Sequence, residues 1–200
     1  YPETSEEFKA SYYQTIHYCF RIVKLTPAAI KTTKNLVVSW QELEDEDETS
    51  DLEEEHETIN PIHRVCYKDK SMYIGTLRNG ERNGTGTLRF SDGCIYEGEW
   101  QNGAFHGKGT FTWPDGCKYS GDYVNGVREG CGEYEAPNEG SYKGDWKLDS
   151  PWGKGEWKLG TFVKYTGEWI DWAAEGEGTL QLGNGESYEG EWERDKKNGK

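Results

Sequence analysis

Two hundred residues suffice for one or two domains, and a formal net charge of −14 sets the surface against nucleic-acid phosphates and anionic headgroups. Hydrophobic residues make up only 33 %, while glycines number 26 and aromatics comprise 9 Trp, 13 Tyr and 6 Phe. That mix excludes an ordinary aliphatic two-sided core and suits a thin structure held together by large flat rings.

In chain order, TIHYCFRIVKL (residues 15–25) places Ile16, Tyr18, Phe20 and Ile22 on one strand face. Thr26 as N-cap and Pro27 at the first helical position start a short helix in TPAAIKTTK, and NLVVSW reads as another strand. Residues 1–40 are therefore expected to form a small β-rich or α/β element that caps the open end of the sheet formed by the rest of the chain. Between Lys34 and Arg64 there is no Lys or Arg, and Glu42 to Glu57 hold eleven acids. Residues 41–60 read as a solvated, disordered linker, or alternatively as an acidic linear motif for a basic partner. Ser50, with Asp51 and Glu53 just after it, suits acid-directed kinases, and phosphate there would add to like charge and favour extension. Residues 61–72 are a lead-in.

From residue 73 to 200 the chain repeats itself. Tyrosines stand at Tyr73, Tyr96, Tyr119, Tyr142, Tyr165 and Tyr188, each 23 residues from the last. Two residues after each comes glycine (Gly75, Gly98, Gly121, Gly144, Gly167, Gly190), and two further on Leu77, Trp100, Tyr123, Trp146, Trp169 and Trp192. Glycine returns at Gly84, Gly107, Gly130, Gly153, Gly176 and Gly199, with a partner two later in the first five. Such a period signals a solenoid or array. Tyr, Gly and Trp two apart share one strand face. Asn79-Gly80, Asn102-Gly103 and Asn125-Gly126 are the favoured pair of a tight type I′ hairpin turn. The Gly-x-Gly strand continues at the same parity with Leu88 and Phe90, Phe111 and Trp113, Trp157 and Leu159, Leu180 and Leu182. A second turn comes at Asp92-Gly93, Asp115-Gly116 and Asn184-Gly185.

Two strands and two turns per unit make an antiparallel meander, advancing about 10 Å per repeat and spanning roughly 55–60 Å in all. KLDSPWG and IDWAAEG lack Asn-Gly, and APNEG replaces the second turn of the third unit beside Ala136; wider turns are expected there. The five cysteines, Cys19, Cys66, Cys94, Cys117 and Cys131, are odd in number without a CxxC pair, so a reduced, intracellular chain is expected. Cys94 and Cys117, one repeat apart, lie beyond disulfide reach.

Tyr-x-Gly-x-Trp and then Gly-x-x-x-Gly-x-Gly, in six registered copies, resembles the MORN repeat over residues 73–200. The resemblance implies a mainly β fold, an elongated single-layer antiparallel β-meander with a groove partly lined by the repeat aromatics. It further implies scaffolding, membrane-proximal tethering, or docking of helical and extended peptides, as in junctophilins, radial-spoke head proteins, apicomplexan cytoskeletal scaffolds, plant phosphoinositide kinases and a histone-lysine methyltransferase. The last repeat stops one residue short of a due glycine and the first residue is Tyr1, which suits a piece of a longer protein.

No enzyme chemistry stands out. Gly-x-Gly never reaches the third glycine of GxGxxG, and each copy leads into a strand, whereas a phosphate cradle needs a helix N-terminus. His17, His56, His63 and His106 show neither metal-ligand spacing nor a paired nucleophile, so no metal or cofactor is expected. No apolar run approaches the roughly 18–20 residues of a spanning helix, and no secretory signal opens the chain.

The aromatics are the candidate surface. They stabilise the sheet by stacking on one another, but a single layer cannot cover both faces and leaves rings free to grip a partner. The contact residues expected are Tyr96, Trp100, Trp113, Tyr119, Tyr142, Trp146, Trp157, Tyr165, Trp169 and Trp192. The expected function is a non-enzymatic scaffold docking a peptide or helix of a protein partner, cytoplasmic and in a cytoskeletal or ciliary assembly. The alternatives are a phospholipid-membrane tether or the regulatory segment of a larger multidomain protein. Nucleic acid is excluded by charge, and open edge strands leave a homodimer available.

Overall fold

The computed structural model describes residues 61–199; the capping element expected over 1–40 and the linker over 41–60 lie outside them. Thirteen strands make up the described residues: β1 (Ile62–Cys66), β2 (Met72–Arg78), β3 (Glu81–Arg89), β4 (Ile95–Gln101), β5 (Ala104–Thr112), β6 (Lys118–Val124), β7 (Val127–Ala136), β8 (Gly140–Lys147), β9 (Ser150–Leu159), β10 (Val163–Ile170), β11 (Ala173–Leu182), β12 (Ser187–Glu193) and β13 (Lys196–Asn198). Each pairs antiparallel with the next, so the sheet is one open meander, as the repeat predicts.

The register explains the glycines. Gly75 faces Gly86, which faces Gly98, and the row continues without a break through Gly109, Gly121, Gly132, Gly144, Gly155, Gly167, Gly178 and Gly190. A ladder of residues without side chains crosses the sheet, and it is where the rings lie. A Cβ on Gly98 would stand 2.5 Å from the Cα of Gly109, a clash of backbone against backbone.

The irregular turns are not wider. Leu148-Asp149 (φ 49° and 67°), Asp171-Trp172 (48° and 65°) and Arg194-Asp195 (49° and 66°) adopt the same left-handed pair as Asn79-Gly80 (53° and 78°). Tertiary contacts hold these non-glycine residues there. Asp149 Oδ1 accepts from the backbone N and Nε of Arg128, 2.9 and 3.1 Å away, and Asp195 Oδ1 accepts from Ala174 N at 2.7 Å. The turn also stacks on its neighbour, because Gly103, Gly126, Asp149 and Asp195 each donate N–H to the carbonyl 21 residues earlier. APNEG closes as the other second turns do, Glu139 N–H donating to Ala136 O as Gly93 does to Phe90 O and Gly116 to Trp113 O.

The lead-in is itself half a repeat. VCYKDKS stands 23 residues before LRFSDGC, Val65 pairs with Tyr73, and Asp69 Oδ1 accepts from Ser71 N at 2.9 Å as Asp92 Oδ1 does from Cys94 N at 3.0 Å. Among the described residues Cys66, Cys94, Cys117 and Cys131 are free thiols.

One face carries the buried rings; the other is mainly polar, with exposed apolar side chains such as Ile74, Trp152 and Ile170 among the charges. Across the polar face Lys108 meets Asp122 at 2.6 Å, Lys164 meets Glu156 at 2.6 Å, and the hydroxyls of Thr110 and Ser120 bond at 3.0 Å.

Candidate partner-docking face

Each repeat tyrosine is locked onto the glycine ladder. The phenol Oη of Tyr73, Tyr96, Tyr119, Tyr142 and Tyr165 donates to the carbonyl three residues on, at 2.9, 2.9, 3.1, 3.0 and 3.2 Å. Where the next glycine pair would carry Cβ atoms, the ring already stands: Cε2 of Tyr142 is 2.5 Å from the site of a Cβ on Gly155. The tryptophans reach back across the sheet, with Nε1 of Trp100, Trp146, Trp169 and Trp192 donating to the carbonyls of Gly86, Gly132, Gly155 and Gly178 at 3.0 to 3.2 Å. With both polar tips bonded, the rings bury without cost to an unpaired donor.

They bury against one another, edge to face. Tyr73 meets Trp100 at 5.4 Å, Tyr119 meets Trp146 at 4.9 Å, Tyr142 meets Trp169 at 5.2 Å and Tyr165 meets Trp192 at 5.1 Å. Phe105 lies flat on Tyr96 at 3.8 Å. Burial holds these phenols protonated well above the usual tyrosine range, Tyr73 to about 12 and Tyr96, Tyr119, Tyr142 and Tyr165 higher still.

The expectation that one layer leaves these rings open is therefore corrected. Tyr96, Trp100, Tyr119, Tyr142, Trp146, Trp157, Tyr165, Trp169 and Trp192 are all buried, none more than 7 % exposed. The glycine ladder lets rings from adjacent hairpins close over each other, so a single layer makes its own cover. Of the ten expected contact residues Trp113 alone is half-buried.

Trp113 belongs to a second row. Phe90, Trp113, Ala136, Leu159 and Leu182 recur at the repeat spacing on the aromatic face, just before the second turns. Phe90, Trp113, Leu159 and Leu182 are half-buried and pack on the buried rings, while Ala136 is buried between them. Trp113 rests on Phe111 at 4.6 Å and Tyr134 at 5.9 Å, which fixes its position while leaving part of the ring open. Four steps of about 10 Å make a rail of roughly 40 Å. An α-helix of about 26 residues would match that length.

Sequence reading missed the residues closing the far side of this face. The guanidinium of Arg82 lies 4.4 Å over Trp100 and that of Arg128 4.6 Å over Trp146. Arg82 Nη2 also donates to Gly103 O at 2.9 Å, and Arg128 Nη2 to Asp149 O at 2.7 Å. Trp172, in the turn position that Gly103 and Gly126 occupy elsewhere, folds in against Trp146 at 5.4 Å and Tyr134 at 5.8 Å. A large ring standing where the repeat calls for glycine was the available signal.

Among the described residues no group of three or more His, Cys, Asp or Glu could hold a metal ion, and no helix is long and apolar enough to cross a membrane. The face presents rings and aliphatic edges, and its chemistry is contact.

The search among curated proteins returned no match. A solved structure of the SAS-4 (dCPAP) TCP domain in complex with a proline-rich motif of Ana2 (dSTIL) from Drosophila melanogaster is similar at 17 % identity and a TM-score of 0.42, over 64 % of this chain and 70 % of that one. The MORN repeat model matches six times in succession, at residues 73–95, 96–118, 119–141, 142–161, 165–187 and 188–200. MORN repeats are protein- and membrane-binding modules, and this chain, matched over well more than half its length and folded as the repeat predicts, belongs to the MORN repeat family.

Proposed function

We propose that the protein is a non-enzymatic binding strip that docks a helix or extended peptide of a protein partner along the half-buried rail of its aromatic face. The observation that supports this most directly is Phe90, Trp113, Leu159 and Leu182 standing in one register, partly open, on a bed of buried rings that holds them rigid. Rigid, amphipathic rings contribute contact area at little entropic cost, as interface anchors do. The buried tyrosines and tryptophans contribute by fixing the rail. The family resemblance favours a cytoplasmic setting, in a cytoskeletal or ciliary assembly.

A peptide library displayed on phage and selected on the immobilised full chain tests the reading. Enriched sequences should carry apolar anchors at helical or alternating spacing, and Trp113→Ala with Leu159→Ala should weaken them about tenfold or more while the strand signal persists. Binding unchanged in that variant would overturn the rail. Strong retention of the full chain on phosphoinositide vesicles, equal in the variant, would transfer the function to a membrane. Net negative charge opposes that outcome, since Lys and Arg near an anionic leaflet contribute only about 1 kcal/mol each.

A further inference from the structure

The strip is electrically polarised along its length. Residues 62–89, covering β1–β3, carry six bases (Arg64, Lys68, Lys70, Arg78, Arg82, Arg89) and two acids (Asp69, Glu81), a net of +4. Residues 90–199 carry 11 bases and 21 acids, a net of −10. Arg82 is engaged on the aromatic face with Trp100 and Gly103. The other five bases are exposed, and no salt bridge among the described residues engages them.

Register places three of them on the polar face. Arg64 stands opposite Ile74, Arg89 opposite Met72 and Arg78 opposite Glu81. Apolar side chains lie in the same surface, Ile62 at 75 % and Ile74 at 39 % exposed. The patch is thus basic and apolar at once, at the one end of a strongly acidic array where an anion would be welcomed.

We propose that this patch is occupied by the chain's own acidic stretch, Glu42–Glu57, lying back over the polar face of β1–β3. Charge complementarity is the first argument: eleven acids without a Lys or Arg meet the most strongly net-positive stretch of the sheet. The tether is the second. Glu57 stands four residues before Pro61, so it starts no more than about 15 Å from the first strand. A segment so tethered meets the patch at an effective concentration in the millimolar range. Composition is the third. Leu43, Leu52 and Ile59 are interspersed among or beside the acids, as Ile62 and Ile74 are among the arginines. Single exposed ion pairs contribute little, so the contact is a sum of weak, tethered pairs and is salt-labile, screening tightening from about 10 Å at 0.1 M to about 3 Å at 1 M. The aromatic rail lies on the opposite face and stays free, so this inference stands or falls separately from the proposed function.

Carbodiimide cross-linking of the full chain, read by peptide mass spectrometry, tests it. At low salt the dominant products should join Lys68 or Lys70 to carboxylates of residues 42–57. Their yield should fall about fivefold or more at 1 M salt, as expected for a screened contact. It should fall similarly in the triple variant Arg64→Glu, Arg78→Glu, Arg89→Glu, which keeps both lysines and alters only exposed side chains. An equal spread of products over Lys143, Lys196 and Lys197, or yields insensitive to salt and to the variant, would overturn the proposal. Mixing isotope-labelled and unlabelled chains separates a second copy, and predominantly inter-chain products would likewise reject it.

Discussion

Two of the rows of side chains on the aromatic face differ most in how strictly the repeat preserves them. The tyrosine row is the same residue six times, from Tyr73 to Tyr188, with each phenol on the same carbonyl and each ring in the same glycine slot. The rail beside it runs Phe, Trp, Ala, Leu, Leu at the same spacing and is half-open everywhere but Ala136. Where packing leaves room for one shape only, the repeat cannot drift. Where the side chain is partly in solvent, the residue changes along the rail, from Phe90 and Trp113 to Leu159 and Leu182, and a partner can read that sequence. Exact recurrence marks the frame. Variation alone does not mark the surface, since Leu88, Phe111, Tyr134, Trp157 and Leu180 also differ in register and are all buried; variation together with partial exposure does.

The largest expected effect tests the frame collectively. Free tyrosine ionises near pH 10, whereas burial holds Tyr73 protonated to about 12 and its equivalents beyond. The unfolded chain therefore loses these protons first. The tyrosine contribution is fully present below about pH 10 and is lost as pH rises from there, so the denaturant midpoint should fall steadily above it. A midpoint unchanged to pH 12 would show that the phenols are not sealed.

Single substitutions then separate the two rows. Trp169→Ala removes a fully buried ring and its bond to Gly155 O and should cost about 3–5 kcal/mol in urea unfolding. Trp113→Ala, on the half-open row, should cost only about 1 kcal/mol. Equal losses would erase the distinction between frame and rail. Gly155→Ala drives a Cβ into the Tyr142 ring and should cost about 3 kcal/mol, read as faster hydrogen exchange in β8 and β9; protection matching the parent chain would mean that the tyrosine has another place to go.

The smallest effect has the opposite sign. Leu148 sits at φ 49° and is 70 % exposed, so it bears left-handed strain with little burial in return. Leu148→Asn, restoring the residue that the first three hairpins use, should stabilise by about 0.5–1 kcal/mol. A thermal midpoint that drops instead would show that the leucine makes a contact worth more than its strain.

The fold was legible because its causes are local. Period-2 alternation assigns Tyr96, Gly98 and Trp100 to one face, and Asn102-Gly103 names its turn without reference to anything distant. The half-repeat at Val65 escaped because Lys70 replaces its glycine and no Tyr-x-Gly precedes it. The turns at Leu148-Asp149 and Asp171-Trp172 depart from the local expectation for a different reason. Local propensity argues against left-handed Leu and Trp, and Asp149 on Arg128, with Trp172 on Trp146, overrides it.

Residue order alone determined the strands, the Asn-Gly and Asp-Gly turns, the face each ring occupies and the family, since these rest on local spacing and on its return every 23 residues. Only the assembled sheet decided which rings remain reachable. Exposure depends on what the next hairpin places over a ring, and that is settled where side chains from different repeats meet: nine of the ten expected contact residues closed over one another, and Trp113 stayed half open.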